Sequence, residues 1–171
     1  MPSGVPKEVP NWINNQPVAA ESGAWFEKKK PADGESLCRV ARSGTADVLK
    51  AIAAARAARQ AWADTTVVAR GDLMRAIALR MMERKSEIAE IVALETGKSR
   101  AEALGETQAA IEMGFFVAGE GRRFYGKTTT ATMAHRSVMT QRMPLGVAGL
   151  IIASNTPIAN VAWKAFPAML C

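Results

Sequence analysis

The sequence predicts an α/β protein, and three features of its 171 residues carry that expectation. A nearly continuous apolar run, Gly146 to Ala153, contains the β-branched Val147, Ile151 and Ile152 and reads as a strand covered on both faces. Thr156 and Pro157 follow it as a capping residue and a first-turn proline, so the strand feeds a helix. Between residues 46 and 122 apolar residues recur at helical spacing in four successive stretches, flanked on both sides by short β-favouring pieces.

In chain order, residues 1–10 hold three prolines and no apolar periodicity, and are expected to form a flexible N-terminal arm without a site. Residues 11–123 form the next unit. From Trp12 to Val40, turn signals at Glu21-Ser22-Gly23 and Pro31-Ala32-Asp33-Gly34 separate short strands, with NWINNQPV and ESLCRVAR the expected pair. Thr45 caps a helix over 46–62, Asp47 complements its dipole, and Val48, Ile52, Ala55 and Trp62 share one face. Leu73, Met74, Ile77 and Met81 mark a helix from Val67 to Arg84, with its methionines as core filler. Ser86 opens another, carrying Ile88, Ile91, Val92 and Leu94 and stopped by Gly97. Ser99 and Glu102 form a capping box for a fourth helix, whose inward face is expected at Leu104, Ile111, Phe115 and Ala118. Residues 124–143 lose helical periodicity and predict two antiparallel strands outside the central sheet. Residues 144–171 hold the strand and helix named first.

Composition narrows the function classes. A hydrophobic content of 49% supports a globular chain rather than a disordered one. No apolar run approaches the roughly 18 residues of a membrane span, and the proline-bearing N-terminus is unlike a secretory signal, so no membrane partner and a cytoplasmic location are expected. Cys38 and Cys171 are too far apart in sequence, and too few, for a zinc or CxxC motif. The net charge of +6 is spread along helices among Glu and Asp without interleaved aromatics, which argues against a nucleic-acid partner, and Lys28-Lys29-Lys30 reads as a solvated turn.

Several motifs invite a site and lack its context. Thr96-Gly97-Lys98-Ser99 has the end of a phosphate loop but Val92 where the first glycine belongs, and it follows a helix rather than a strand. Gly119-Glu120-Gly121 begins a dinucleotide fingerprint, yet Phe124 takes the third glycine position. His135 is the single histidine and is expected to be exposed. Ile152 and Thr156 flank Ser154 where a nucleophile elbow has glycines.

Asn155 stands apart. It follows a strand end, where open α/β sheets bind ligands, and its amide N–H is the kind of donor that stabilises a developing oxyanion by about 2.7–4 kcal/mol. The local sequence leaves open an Asn that only hydrogen-bonds the turn before Pro157.

NWINN, AIAAARAARQAW, ALETGKS and above all PLGVAGLIIASNTPIANVAWKAFPA, in this order and spacing, closely resemble the N-terminal part of the NAD(P)-dependent aldehyde dehydrogenase superfamily from about Trp12 to Cys171. The resemblance implies that residues 11–123 belong to the cofactor-binding domain, 124–143 to an oligomerisation excursion, and 144–171 to the first strand and helix of a Rossmann-like parallel sheet. It implies that Ile151, Ile152, Ala153 and Ser154 line an NAD or NADP site. Asn155 then donates to the oxyanion formed when a Cys thiolate attacks the aldehyde. Hydride leaves the resulting hemithioacetal for the cofactor, and a Glu-activated water hydrolyses the thioester. The implied partners are an aldehyde and further copies of the chain, as a dimer or tetramer.

This sequence departs from the family at its motif, where Ala153-Ser154-Asn155-Thr156-Pro157 replaces Pro-Trp-Asn-Phe-Pro and removes bulk beside the nicotinamide and the aldehyde tunnel. The family's Gly-Asn-x-Val-Val-x-Lys-Pro segment, cofactor turn, Glu base and catalytic Cys are not among these residues, and Cys171 falls at an ordinary helical position. The sequence therefore reads as the first third of such an enzyme, inactive as an isolated chain. The other readings are a short family member that joins full-length subunits, and a basic nucleic-acid module, which the charge distribution disfavours.

Overall fold

The computed structural model describes residues 4–171. Short strands open the chain: β1 (Glu8–Val9), β2 (Asn11–Ile13), β3 (Gln16–Val18), β4 (Trp25–Lys29) and β5 (Ser36–Ala41). Four helices follow, α1 (Thr45–Asp64), α2 (Val67–Glu83), α3 (Lys85–Thr96) and α4 (Arg100–Glu120), then β6 (Thr128–Thr130), β7 (Ser137–Met139) and α5 (Pro157–Leu170).

The arm expected over 1–10 is partly ordered, because Glu8 and Val9 pair in parallel with Arg39 and Val40 of β5. Arg39 N–H also donates to the Lys7 carbonyl at 2.9 Å, and its guanidinium pairs with Glu8. Met1 to Ser3 lie outside the described residues. NWINNQPV does not pair with ESLCRVAR but folds on itself as the β2–β3 hairpin. Asn14 and Asn15 at its tip have φ of 52° and 58°, the left-handed pair that a two-residue hairpin turn requires and that Asn tolerates. β5 pairs instead with β4, antiparallel.

Lys28 and Lys29 lie in β4 rather than in a turn, and all three lysines of the run have carboxylate partners: Glu95 at 3.3 Å, Glu27 at 3.7 Å, and for Lys30 both Asp33 and Glu35 at 2.7 and 2.8 Å. A run whose charge is matched locally presents little net field to a polyanion.

All four helical stretches form, with corrections at their ends and faces. Gly44, not Thr45, is the N-cap of α1, and its N–H donates to the Asp47 carboxylate at 2.8 Å. The expected α1 face is not buried, since Val48 is 54% exposed and Ala55 is also exposed. Among the described residues β2 packs on that helix, and its far end is covered at Trp62, which touches the core and donates to the Met169 carbonyl. Thr66 caps α2 with its hydroxyl, and α3 begins at Lys85 after Arg84 rather than at Ser86. The expected ends hold at Gly97, which closes α3 with φ 75°, and at Ser99 and Glu102, which form a reciprocal box at α4.

The core forms where α4 packs against α2, α3 and α5. Met74, Ala110, Val117, Ala162, Phe166 and Leu170 make one cluster, Ala89, Val92 and Ala103 a second, and Ile158 touches both. The inward stripe of α4 is Ala103, Glu106, Thr107, Ala110, Ile111, Gly114 and Val117, so of the expected face only Ile111 is fully buried. Small residues dominate the stripe because the helices approach closely: a Cβ on Gly71 would stand 2.7 Å from the Ala118 carbonyl oxygen, and one on Gly121 2.8 Å from that of Val67. Gly121 is therefore a helix-packing residue, which accounts for the abortive fingerprint at Gly119-Glu120-Gly121.

β6 and β7 pair antiparallel, as expected, and are exposed throughout. His135 is exposed, in the connection between them with φ 62°. The strand expected over Gly146–Ala153 does not form. The segment has no β partner among the described residues, and Leu145, Val147, Leu150 and Ile151 are exposed. An apolar, β-branched run becomes a strand only when a neighbouring strand takes its backbone groups.

Candidate active site

The site begins where this extended segment turns into α5. Ile151, Ala153, Ser154 and Asn155 are exposed and Ile152 is half-buried, with Ile151 at 89% of its full exposure. The Ile151 carbonyl accepts from Lys164 Nζ at 2.6 Å, which ties the segment to the second turn of α5. The five expected site residues are thus consecutive on one exposed ledge.

Thr156 does not cap α5 with its side chain; its hydroxyl accepts from Asn160 Nδ2 at 2.7 Å. The capping oxygen comes from α4. Glu106 Oε1 accepts from the backbone N–H groups of Ile158 at 3.0 Å and Ala159 at 3.3 Å, two of the orphan donors of a helix start. Glu106 is buried, and a carboxylate out of water needs a counter-charge. Lys98 supplies it, with Nζ 2.5 Å from Glu106 Oε2.

The same ammonium donates to the Asn155 carbonyl oxygen at 2.7 Å. Asn155 is held by its backbone, while its side-chain amide makes no hydrogen bond to any described residue. The alternative in which that amide serves only the turn before Pro157 is not what the structure shows. Lys98 and Glu106 went unrecognised in the sequence. A carboxylate at the inward register of α4, four residues before Ala110 and three after Ala103, was the available signal, because such a position demands a partner.

Neither cysteine joins this site. Cys38 is buried in β5, and desolvation first, then the nearby Glu95 carboxylate, push its thiol above the usual range. Cys171 follows the last turn of α5, roughly 20 Å from its start at 1.5 Å per residue. No cluster of His, Cys, Asp or Glu among the described residues could hold a metal ion, and no described helix is long and apolar enough to cross a membrane.

The exposed Ile151 and half-buried Ile152 before the Asn155 amide give apolar surface of the kind against which a flat heteroaromatic ring packs. Neither glycine motif singled out in the sequence offers a phosphate cradle: Gly97 ends a helix, and Gly121 is packed against Gly71.

The fold and site so far define an α/β chain with a free amide donor presented at a helix entrance. The aldehyde dehydrogenase family model matches residues 18–171, and the chain belongs to that family. It is 37% identical over 161 residues to an α-ketoglutaric semialdehyde dehydrogenase of Bacillus subtilis, which covers 94% of this chain and 33% of that enzyme. It is 34% identical over 157 residues to the succinate-semialdehyde dehydrogenase [NADP(+)] of Escherichia coli, covering 92% and 33%. The solved NAD-dependent aldehyde dehydrogenase from Sinorhizobium meliloti superposes with a TM-score of 0.90 at 29% identity, over 99% of this chain and 35% of that one. The chain spans about a third of the length of these relatives and corresponds to the N-terminal part of their fold.

Proposed function

We propose that this chain is the N-terminal part of an NAD(P)-dependent aldehyde dehydrogenase that oxidises an aldehyde to a carboxylic acid. The observation that carries the reading is Asn155, whose carbonyl is fixed by Lys98 while its amide stays free at the end of an exposed apolar ledge. In this reading the amide N–H donates to the aldehyde oxygen as a thiolate adds to the carbonyl carbon, and holds that oxygen through the negative charge it acquires. Ile151, Ile152, Ala153 and Ser154 form the wall that orients the nicotinamide. The cofactor, when bound, supplies the hydride acceptor.

The thiolate comes from a cysteine of the complete enzyme other than Cys38, whose raised pKa disfavours the anion, and Cys171, which is remote. A general-base Glu of the complete enzyme then activates the water that hydrolyses the thioester. The two free thiols suit a reducing compartment, and the cytoplasm is the proposed location. The exposed edges of β6 and β7 are the proposed contact for assembly into a dimer or tetramer.

Two of the relatives are named for semialdehydes that carry a carboxylate, so such aldehydes are the first substrates to try. The test is cofactor reduction by the complete polypeptide with succinate semialdehyde, α-ketoglutarate semialdehyde and propanal, each with NAD and with NADP. Reduction that depends on aldehyde supports the reading. No reduction with any pair overturns it.

A further inference from the structure

We infer that Lys98 and Glu106 are positioning residues for Asn155, a two-pronged clamp that sets the direction of its amide. The inference rests on the preceding reading of Asn155 as the oxyanion donor.

The clamp grips the junction on both sides. Glu106 holds the α5 side through the amides of Ile158 and Ala159, and Lys98 holds the preceding side through the carbonyl of Asn155 itself. The ion pair between their charged ends joins the two prongs. Each prong stands on a fixed support. Lys98 follows the left-handed Gly97 that ends α3 and precedes Ser99, the box residue of α4. Glu106 rises from the buried stripe of α4 between Ala103 and Ala110.

The other side-chain bonds at this junction, Lys164 to the Ile151 carbonyl and Asn160 to the Thr156 hydroxyl, do not reach Asn155 itself. Thr156 makes no side-chain cap, and the segment before Asn155 has no β partner. Without the clamp the Asn155 backbone would be tied only through the helix that follows it. The arrangement also gives Thr96-Gly97-Lys98-Ser99 a purpose its phosphate-loop likeness does not. The Lys98 ammonium is committed to a carboxylate and a carbonyl rather than open to a phosphate. An oxyanion donor must be aimed before charge develops, so loosening its backbone costs turnover more than cofactor affinity.

The test uses the complete polypeptide and two readouts. Amide hydrogen exchange of residues 154–159 is expected to rise about tenfold in Lys98→Met and in Glu106→Gln, the latter keeping a capping oxygen while losing the ion pair. Steady-state kinetics with succinate semialdehyde are expected to show kcat lower by about tenfold in both variants, the cofactor KM within about twofold of wild type, and Lys98→Arg recovering most of the loss. The double variant Lys98→Met/Asn155→Ala should be no slower than Asn155→Ala alone, because Lys98 acts through Asn155. Unchanged exchange at 154–159, or losses that multiply in the double variant, overturns the clamp. Full turnover by Asn155→Ala overturns instead the reading of Asn155, with the exchange result still deciding whether the clamp exists. Should Lys98→Met fail to fold, Glu106→Gln and Lys98→Arg carry both readouts.

Discussion

Asp47 accepts from Gly44 N–H at 2.8 Å and from Glu21 N–H at 2.9 Å, so one carboxylate caps α1 and fastens the loop after β3 to it. The Gly44 bond first, then the Glu21 bond, hold its carboxyl below the usual carboxylate range. A group whose folded pKa is depressed stabilises fully above the unfolded pKa of about 3.9 and loses that contribution as pH falls through the folded value. The urea midpoint of wild type should therefore fall on acidification below about pH 4, and Asp47→Ala should start lower at neutral pH with a shallower decline. Equal slopes for the two proteins would show that Asp47 is not the titrating group. Asp47 was legible in the sequence as a first-turn acid; its bond to Glu21, 26 residues away, was not, because no local pattern encodes a contact made by tertiary folding. The place of Asn155 before a helix was legible for the opposite reason, since Thr156 and Pro157 announce the helix start locally.

Among the elements, α5 is anchored at both ends, at its start by Glu106 and at its end by Arg70 and Trp62. Arg70 is buried on α2 and donates to the carbonyls of Thr65, Ala63 and Leu170 at 3.0, 3.2 and 3.1 Å, with its guanidinium over the Trp62 ring. Trp62 Nε1 donates to the Met169 carbonyl at 2.9 Å. The planar fork of Arg can reach carbonyls in several directions at once, which an ammonium cannot. Arg70→Met should cost on the order of 3 kcal/mol by chemical denaturation, since it leaves carbonyls unpaired near the core, and Arg70→Lys should recover less than half. A loss below about 0.5 kcal/mol, the range of ordinary surface changes, would contradict this role.

The helices were readable because their periodicity and caps are local properties. The faces were less so. The alanine-rich α1 offered an apolar stripe that the structure leaves largely bare, and α4 hides alanine and glycine rather than Phe115 because close helix approach selects small side chains. The run from Gly146 to Ala153 shows the limit most clearly: its composition specifies a buried strand, but pairing depends on partners elsewhere, and none is among the described residues.

Across the whole molecule, apolar side chains collect on the outside: Leu145, Leu150 and Ile151 before α5, Phe116 on α4, and Val48 and Leu49 on α1. Surface of this kind is normally covered in a stable protein. The 171-residue chain by itself is expected to self-associate and bind a hydrophobic dye, and to reduce no cofactor with aldehyde, since neither of its thiols can serve Asn155. Sedimentation as a dye-silent monomer, or aldehyde oxidation at about 1 s⁻¹ or faster, within the ordinary enzymic range, would contradict that expectation.

At the same scale, the exposed segment before α5 and the Lys98–Glu106 pair meet at Asn155 through its backbone carbonyl. The most direct measurement of the account is the turnover of the complete polypeptide with Asn155→Ala against wild type. Loss of the oxyanion donor predicts a fall in kcat of about 10²- to 10³-fold with the fold intact by circular dichroism. A kcat within about threefold of wild type, less than 1 kcal/mol of barrier, would contradict it.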